Sequence, residues 1–171
     1  MQNFTIRRSF LVPLGLLLAL TLALFAVCLV KGQPTAKIII LGVIILPVAV
    51  LLVESVFRRT TITEDRITVH KFLREKAIAF SEITGVETVQ VRKRVFLTLW
   101  AGEDFIILSN AYARFPELVS RVMERAHPET VSEETRKMAE APPVKSSDVV
   151  SCWLAVALLA FILYLQLRGN F

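Results

Sequence analysis

Three stretches of this chain carry no charged residue over a length that would cross a lipid bilayer. They are Phe10 to Val30, Ile38 to Val53 (extending to Phe57 if Glu54 snorkels at the boundary), and Val149 to Leu167. About 20 helical residues, rising 1.5 Å each, cover a hydrocarbon core of roughly 30 Å. In hydrocarbon every backbone N–H and C=O must be satisfied within its own segment, so all three stretches are predicted to be helices. The composition agrees. Hydrophobic residues make up 54% of the 171 residues and charged ones only 20%, with a mean hydropathy of +0.59. A soluble domain usually carries about a quarter charged residues. A plain water-soluble globule, a disordered chain and a disulfide-stapled secreted domain are thereby excluded.

The first stretch is too long for the apolar region of a signal peptide, and no Ala-x-Ala site follows it, so a retained span is expected. Only Lys31 to Lys37, with Gly32 and Pro34, separates it from the second, which makes an antiparallel helical hairpin. Arg7, Arg8, Arg58 and Arg59 flank one side of this hairpin, and Lys31 and Lys37 the other. The excess of positive charge puts the N-terminus and the middle of the chain in the cytoplasm and, with three spans, the C-terminus outside. Gly15, Ala19 and Ala23 recur every fourth residue, as do Ser151 and Ala155. Small residues on one helical face let helices approach closely, so these positions are the expected packing seam.

Between the spans the pattern changes to alternation. Thr60–Thr63, Arg66–His70, Glu75–Phe80, Val86–Val91, Val95–Trp100 and Phe105–Leu108 read as six strands, with turns at Glu64-Asp65, Arg92-Lys93-Arg94 and Ala101–Asp104. Closely spaced strands with tight turns make an antiparallel meander. Phe115, Leu118, Val119, Val122, Met123 and Ala126 then fall at helical spacing, with Pro116 suited to a first turn and His127-Pro128 ending the element. Such a helix can plug the open end of a curved meander. The stretch 128–148 is polar and reads as a linker in which Thr130 to Ala141 could form a short surface helix.

The run Thr60-Thr61-Ile62-Thr63-Glu64-Asp65-Arg66-Ile67-Thr68-Val69, then Ile78-Ala79-Phe80-Ser81-Glu82-Ile83-Thr84-Gly85-Val86, then a strand pair and a helix, resembles the bacterial pleckstrin-homology-like domain of small membrane proteins. The resemblance covers roughly residues 38–126 and rests on pattern and order. It implies seven strands, the seventh expected from a break within Ser81 to Val91. A third span is not a regular feature of that family. The expected architecture is therefore a membrane protein with an α+β soluble domain. It comprises a transmembrane hairpin over 1–57, a PH-like meander or barrel capped by a helix over 58–127, a linker over 128–148 and a transmembrane helix over 149–167.

No motif calls for catalysis or a cofactor. Cys28 and Cys152 both lie in spans and form no metal pair, and His70 and His127 stand apart from any ligand at chelating distance in sequence. No glycine-rich phosphate loop or nucleophile elbow is present, and no basic-aromatic stripe points to nucleic acid. Glu54 is the one ionisable residue within a span, at its end, which does not make a transport path. A non-catalytic module at the cytoplasmic face of a bacterial inner membrane is expected, interacting with a protein partner or with its own copies. The alternative is an anionic-lipid sensor in which Arg92, Lys93 and Arg94 contact headgroups. In phosphoinositide-binding pleckstrin-homology domains the basic residues belong to the first hairpin, whereas the first turn here carries Glu64 and Asp65, so that site is not carried over.

Overall fold

The computed structural model describes residues 1–141 and 147–169. The chain forms two compact units, and the first is discontinuous in sequence. It takes Met1–Arg7 together with the chain from Phe57 to the end of the linker, while the second takes Arg8–Val56 and the C-terminal helix.

Among the described residues the first unit contains seven strands. β1 (Gln2–Thr5), β2 (Arg59–Ile62), β3 (Arg66–His70) and β4 (Glu75–Ala79) form one sheet in that order. β5 (Gly85–Val91), β6 (Arg94–Ala101) and β7 (Asp104–Ser109) form the other, and every neighbouring pair is antiparallel. Alternate residues point inward as the pleat requires: Ile67, Val69 and Ile78 from the first sheet, and Val86, Val95, Leu97, Leu99, Ile106 and Leu108 from the second, are buried. α3 (Phe115–Arg125) lays Phe115, Leu118, Val119 and Val122 into this core, with Pro116 in its first turn as expected. Arg125 near its end donates to the Thr63 carbonyl at 2.9 Å.

The seventh strand is not where the sequence pointed. Ser81 to Val91 holds no additional strand, because Phe80–Glu82 is a single 3₁₀ turn that buries Phe80, and Ile83 follows it inward. The extra strand is Gln2–Thr5, on the far side of the helical hairpin. Thr5 pairs with Arg59 and Gln2 with Ile62. Phe4 and Ile6, two residues apart, are buried at 1% and 5% exposure, and Ile6 also bridges Tyr112 just beyond β7. The expected boundary at 57 and 58 thus has an exception, since the first seven residues belong to the β unit.

The stretch 128–148 also departs from a linker over its described part. Val131 bridges Val86 in parallel, and the Ser132 N–H donates to the Val86 carbonyl at 3.0 Å. α4 (Glu133–Glu140) is capped by the Ser132 side chain, which accepts from the Thr135 N–H. Thr135 is fully buried and its hydroxyl sits 2.9 Å from that of Thr88. The free backbone edge of β5 explains this: left open it would be a template for foreign strands, and the chain covers it with its own next segment.

The second unit contains α1 (Arg8–Val30), α2 (Thr35–Phe57) and α5 (Ser147–Leu167), and all three are long and apolar enough to cross a membrane. α1 packs on α5. The buried line on α1 is Leu14, Thr21, Leu24 and Cys28, a heptad-like spacing, and Val156 and Gln166 are buried on α5. The small residues of the expected seam do not coincide with the fully buried positions of the single chain. Ala19 is exposed, a Cβ at Gly15 would meet no atom within 4 Å, Ala23 and Ala155 are half-buried, and Ser151 is exposed. A side-chain amide on an apolar helix needs a hydrogen-bonding partner, and Gln166 donates to Cys28 Sγ of α1 at 3.3 Å. Thr21 returns its own hydroxyl to the Leu17 carbonyl at 2.7 Å. Lys31, just past α1, donates to the Gln166 carbonyl near the end of α5, so the two helices run the same way. α2 has no buried residue.

Because Thr5 and Arg59 are paired neighbours, a turn of two to four residues joining Arg7 to Phe57 (about the usual hairpin connection) should replace the whole hairpin. That chimaera, carried through Glu140, is expected to unfold cooperatively in thermal circular dichroism. Residues 58–127 alone should show no cooperative transition.

Candidate functional site

The register of the first sheet brings Thr5, Arg59, His70 and Glu75 into one row across its four strands. α1 begins at Arg8, three residues beyond Thr5, and Arg58 alone separates the end of α2 from Arg59. This edge is therefore tied by covalent bonds to two long apolar helices.

Arg7 secures the edge. Its backbone N–H donates to the Ala111 carbonyl at 3.2 Å, its Nε to the Tyr112 carbonyl at 3.2 Å, and its Nη2 to the Asn110 carbonyl at 2.9 Å. Ala113 returns a hydrogen bond to the Thr5 carbonyl at 2.9 Å. Burial pulls the Arg7 guanidinium below its ordinary value, though a guanidinium starts so high that it remains charged. Asn110 passes the link onward, since its Nδ2 donates to the Lys93 carbonyl at 2.8 Å and its Oδ1 accepts from the Val95 N–H at 3.3 Å. Tyr112 lies fully buried beneath, accepting from the Thr60 hydroxyl at 2.7 Å. Burial raises its hydroxyl above the ordinary value, partly offset by that hydrogen bond and by the nearby Arg58 charge.

Arg92, Lys93 and Arg94 are brought together at the β5–β6 hairpin, exposed, with Val91 paired to Arg94. Arg92 occupies the left-handed region at φ 56°, the position that Gly102 fills at φ 61° in the next hairpin. A side chain there costs backbone energy that glycine would not.

A second basic group was missed in the sequence. The β3–β4 connection is Lys71-Phe72-Leu73-Arg74, closed by the Lys71 N–H on the Arg74 carbonyl at 2.7 Å. Phe72 is 54% exposed and Leu73 83%. The signal was present, because two bulky apolar residues in a four-residue turn contradict ordinary turn chemistry. Beside this loop lies a cavity of about 450 Å³ between the start of β4 and the start of β7, with Arg58, Lys71, Arg74 and Lys76 in its wall. His70 Nδ1 lies 3.2 Å from Glu75 Oε2, a local pair at the end of β3. Among the described residues no group of three or more His, Cys, Asp or Glu side chains is placed to hold a metal ion.

The outward face of the second sheet is the third feature. Val89, Val91, Trp100, Phe105 and Ile107 are all exposed on it, with the Trp100 and Phe105 rings 5.4 Å apart. Trp100 Nε1 donates to Glu87 at 3.1 Å, and Lys76 lies over the Phe105 ring at 5.2 Å. The outer edge of β7 pairs with no strand among the described residues. No family model, curated protein or solved structure matches the chain.

The raised Tyr112 value fixes the sign of a pH effect. The unfolded chain ionises this tyrosine near 10 while the folded chain does so later, so its contribution is intact below 10 and is lost as pH climbs through the folded value. Thermal melts of the full-length protein should fall more steeply above that pH than those of Tyr112→Phe. At neutral pH Tyr112→Phe should cost about 1 kcal/mol for the lost Thr60 bond, and Asn110→Ala about 1–3 kcal/mol for the backbone groups it leaves bare.

Proposed function

We propose that this chain is a non-catalytic, membrane-anchored interaction module of the pleckstrin-homology-like kind, held at the cytoplasmic face of a bacterial inner membrane, where its β unit binds a protein partner or a second copy. The seven strands in sheets of four and three, followed by a closing helix, agree with what the resemblance implies. The pairing of β1 with β2 supports the topology: strands on either side of the hairpin must lie on one side of the bilayer, which requires two crossings between them. Arg7, Arg8, Arg58 and Arg59 then favour the cytoplasm. The parallel run of α1 and α5 supports an exit of the C-terminus on the other side.

The observation that carries the binding reading is the outward apolar face of β5–β7 beside the open edge of β7. An extended segment can add to such an edge through main-chain hydrogen bonds, while pockets between alternate side chains give selectivity. Exposed contiguous apolar surface on a small domain marks an interaction site more often than it marks accident. The second reading, headgroup contact by Arg92, Lys93 and Arg94, is favoured by one observation: the Lys93 backbone is two hydrogen bonds from Arg7, the last residue before α1.

Photo-crosslinking from position 107, with the full-length protein in native membranes, is expected to yield a discrete protein adduct or a self-adduct. Ile107→Asp together with Val89→Asp should abolish adducts formed from position 105 without altering the melt. Absence of any protein adduct from positions 89, 105 and 107 would remove the interaction reading.

A further inference from the structure

The β3–β4 loop has no part in the β7 face, although the basic cavity behind it shares Phe105 and Ile107 with that face. We infer that loop and cavity form a lipid contact, in which Phe72 and Leu73 enter the acyl boundary while Arg58, Lys71 and Arg74 take the phosphate of an anionic phospholipid. The inference rests on the membrane reading, and its readout at position 73 lies outside the residues shared with the β7 face.

Position comes first. His70 and Glu75, which bracket the loop, share a row with Thr5 and Arg59, the points where the chain runs into α1 and out of α2. The Phe72 ring packs on Phe57, the last residue of α2, with centroids 5.2 Å apart. Because α2 ends at Phe57, the loop is joined through the chain itself to the end of an apolar helix. Leu73, the most exposed residue of the loop, has nothing in the β unit to cover it. Exposed apolar tips flanked by Lys and Arg are suited to this boundary, the rings and aliphatic carbons going down and the charges staying with the headgroups.

Charge comes second. Of the groups at the cavity, Lys76 is taken by Asp104 at 2.6 Å and Glu75 by His70. Lys71 and Arg74 have no acidic partner among the described residues. Arg58 turns its Nε into a buried position where no acceptor meets it. A buried guanidinium N–H without an acceptor is costly; the Arg58 side chain, which also meets the Tyr112 hydroxyl, lines the cavity and offers its charge to a phosphate there. At about 450 Å³ the cavity has room for a headgroup phosphate and its ester oxygens.

The test uses the full-length protein in nanodiscs of phosphatidylcholine, with or without phosphatidylglycerol, carrying nitroxide-labelled lipid. An encoded fluorescent amino acid is placed at position 73, or as a control at position 64, in the turn at the opposite end of the same sheet. Position 73 should be quenched by the labelled lipid and position 64 should not. Quenching at 73 should rise with phosphatidylglycerol. Lys71→Gln and Arg74→Gln should each lower the docked-to-undocked ratio about fivefold, equivalent to about 1 kcal/mol per basic residue at an anionic surface, while Lys71→Arg retains it. Both neutralised positions are exposed, so an unchanged thermal melt certifies the fold. Equal quenching at 73 and 64 overturns the proposal. No dependence on phosphatidylglycerol overturns the headgroup assignment. If inorganic phosphate added to phosphatidylcholine discs reproduces the effect of phosphatidylglycerol, the cavity takes a soluble anion and the lipid assignment also fails.

Discussion

The clamp at Thr5, Ile6 and Arg7 is the interaction on which the rest of the β unit depends. Thr5 is held on one side by β2, and all three residues are held on the other by the backbone of 111–113. They join the two sheets where no other strand does so among the described residues. Arg7 can perform this role because three carbonyls within reach face its N–H groups, which repays the cost of its partial burial. Without the clamp, the inward side chains Phe4 and Ile6 would be lost from the core.

The same clamp constrains the membrane part. Strand pairing is a matter of 5 Å contacts, so residues before and after the hairpin cannot be on opposite sides of a bilayer about 30 Å thick. The β1–β2 pairing requires only that the two ends of the hairpin share a side, and flanking charge bears on which side that is. Within the helices the polar contact between α1 and α5 is the Gln166 amide on Cys28, while Thr21 satisfies its hydroxyl within α1.

Legibility in the sequence followed the range of the forces. Spans, hairpin turns and the stripe of α3 depend on residues near one another in the chain, and their periodicities were readable. β1 was not, because four residues give too little alternation to stand out beside an apolar run, and its partner lies beyond two helices. α4 was legible as a helix, yet the burial of Thr135 against Thr88 follows from an uncovered β5 edge that no local pattern announces. At the candidate site Arg92, Lys93 and Arg94 stood out because they are consecutive. The cavity group did not, because Arg58 meets Lys71 and Arg74 only through the register of β2, β3 and β4.

The amino-acid sequence on its own determined that three segments are helices long and apolar enough to cross a membrane and that the polar middle is a strand meander closed by a helix. Hydropathy and period are properties of short windows, and burial free energy acts on them directly. The tertiary structure alone decided that the β unit begins before the first span, that its former linker covers a sheet edge, and that two separated basic stretches share one cavity. Each of these is a pairing between distant residues, and only the closed backbone hydrogen-bond ladder chooses among the partners the sequence would allow.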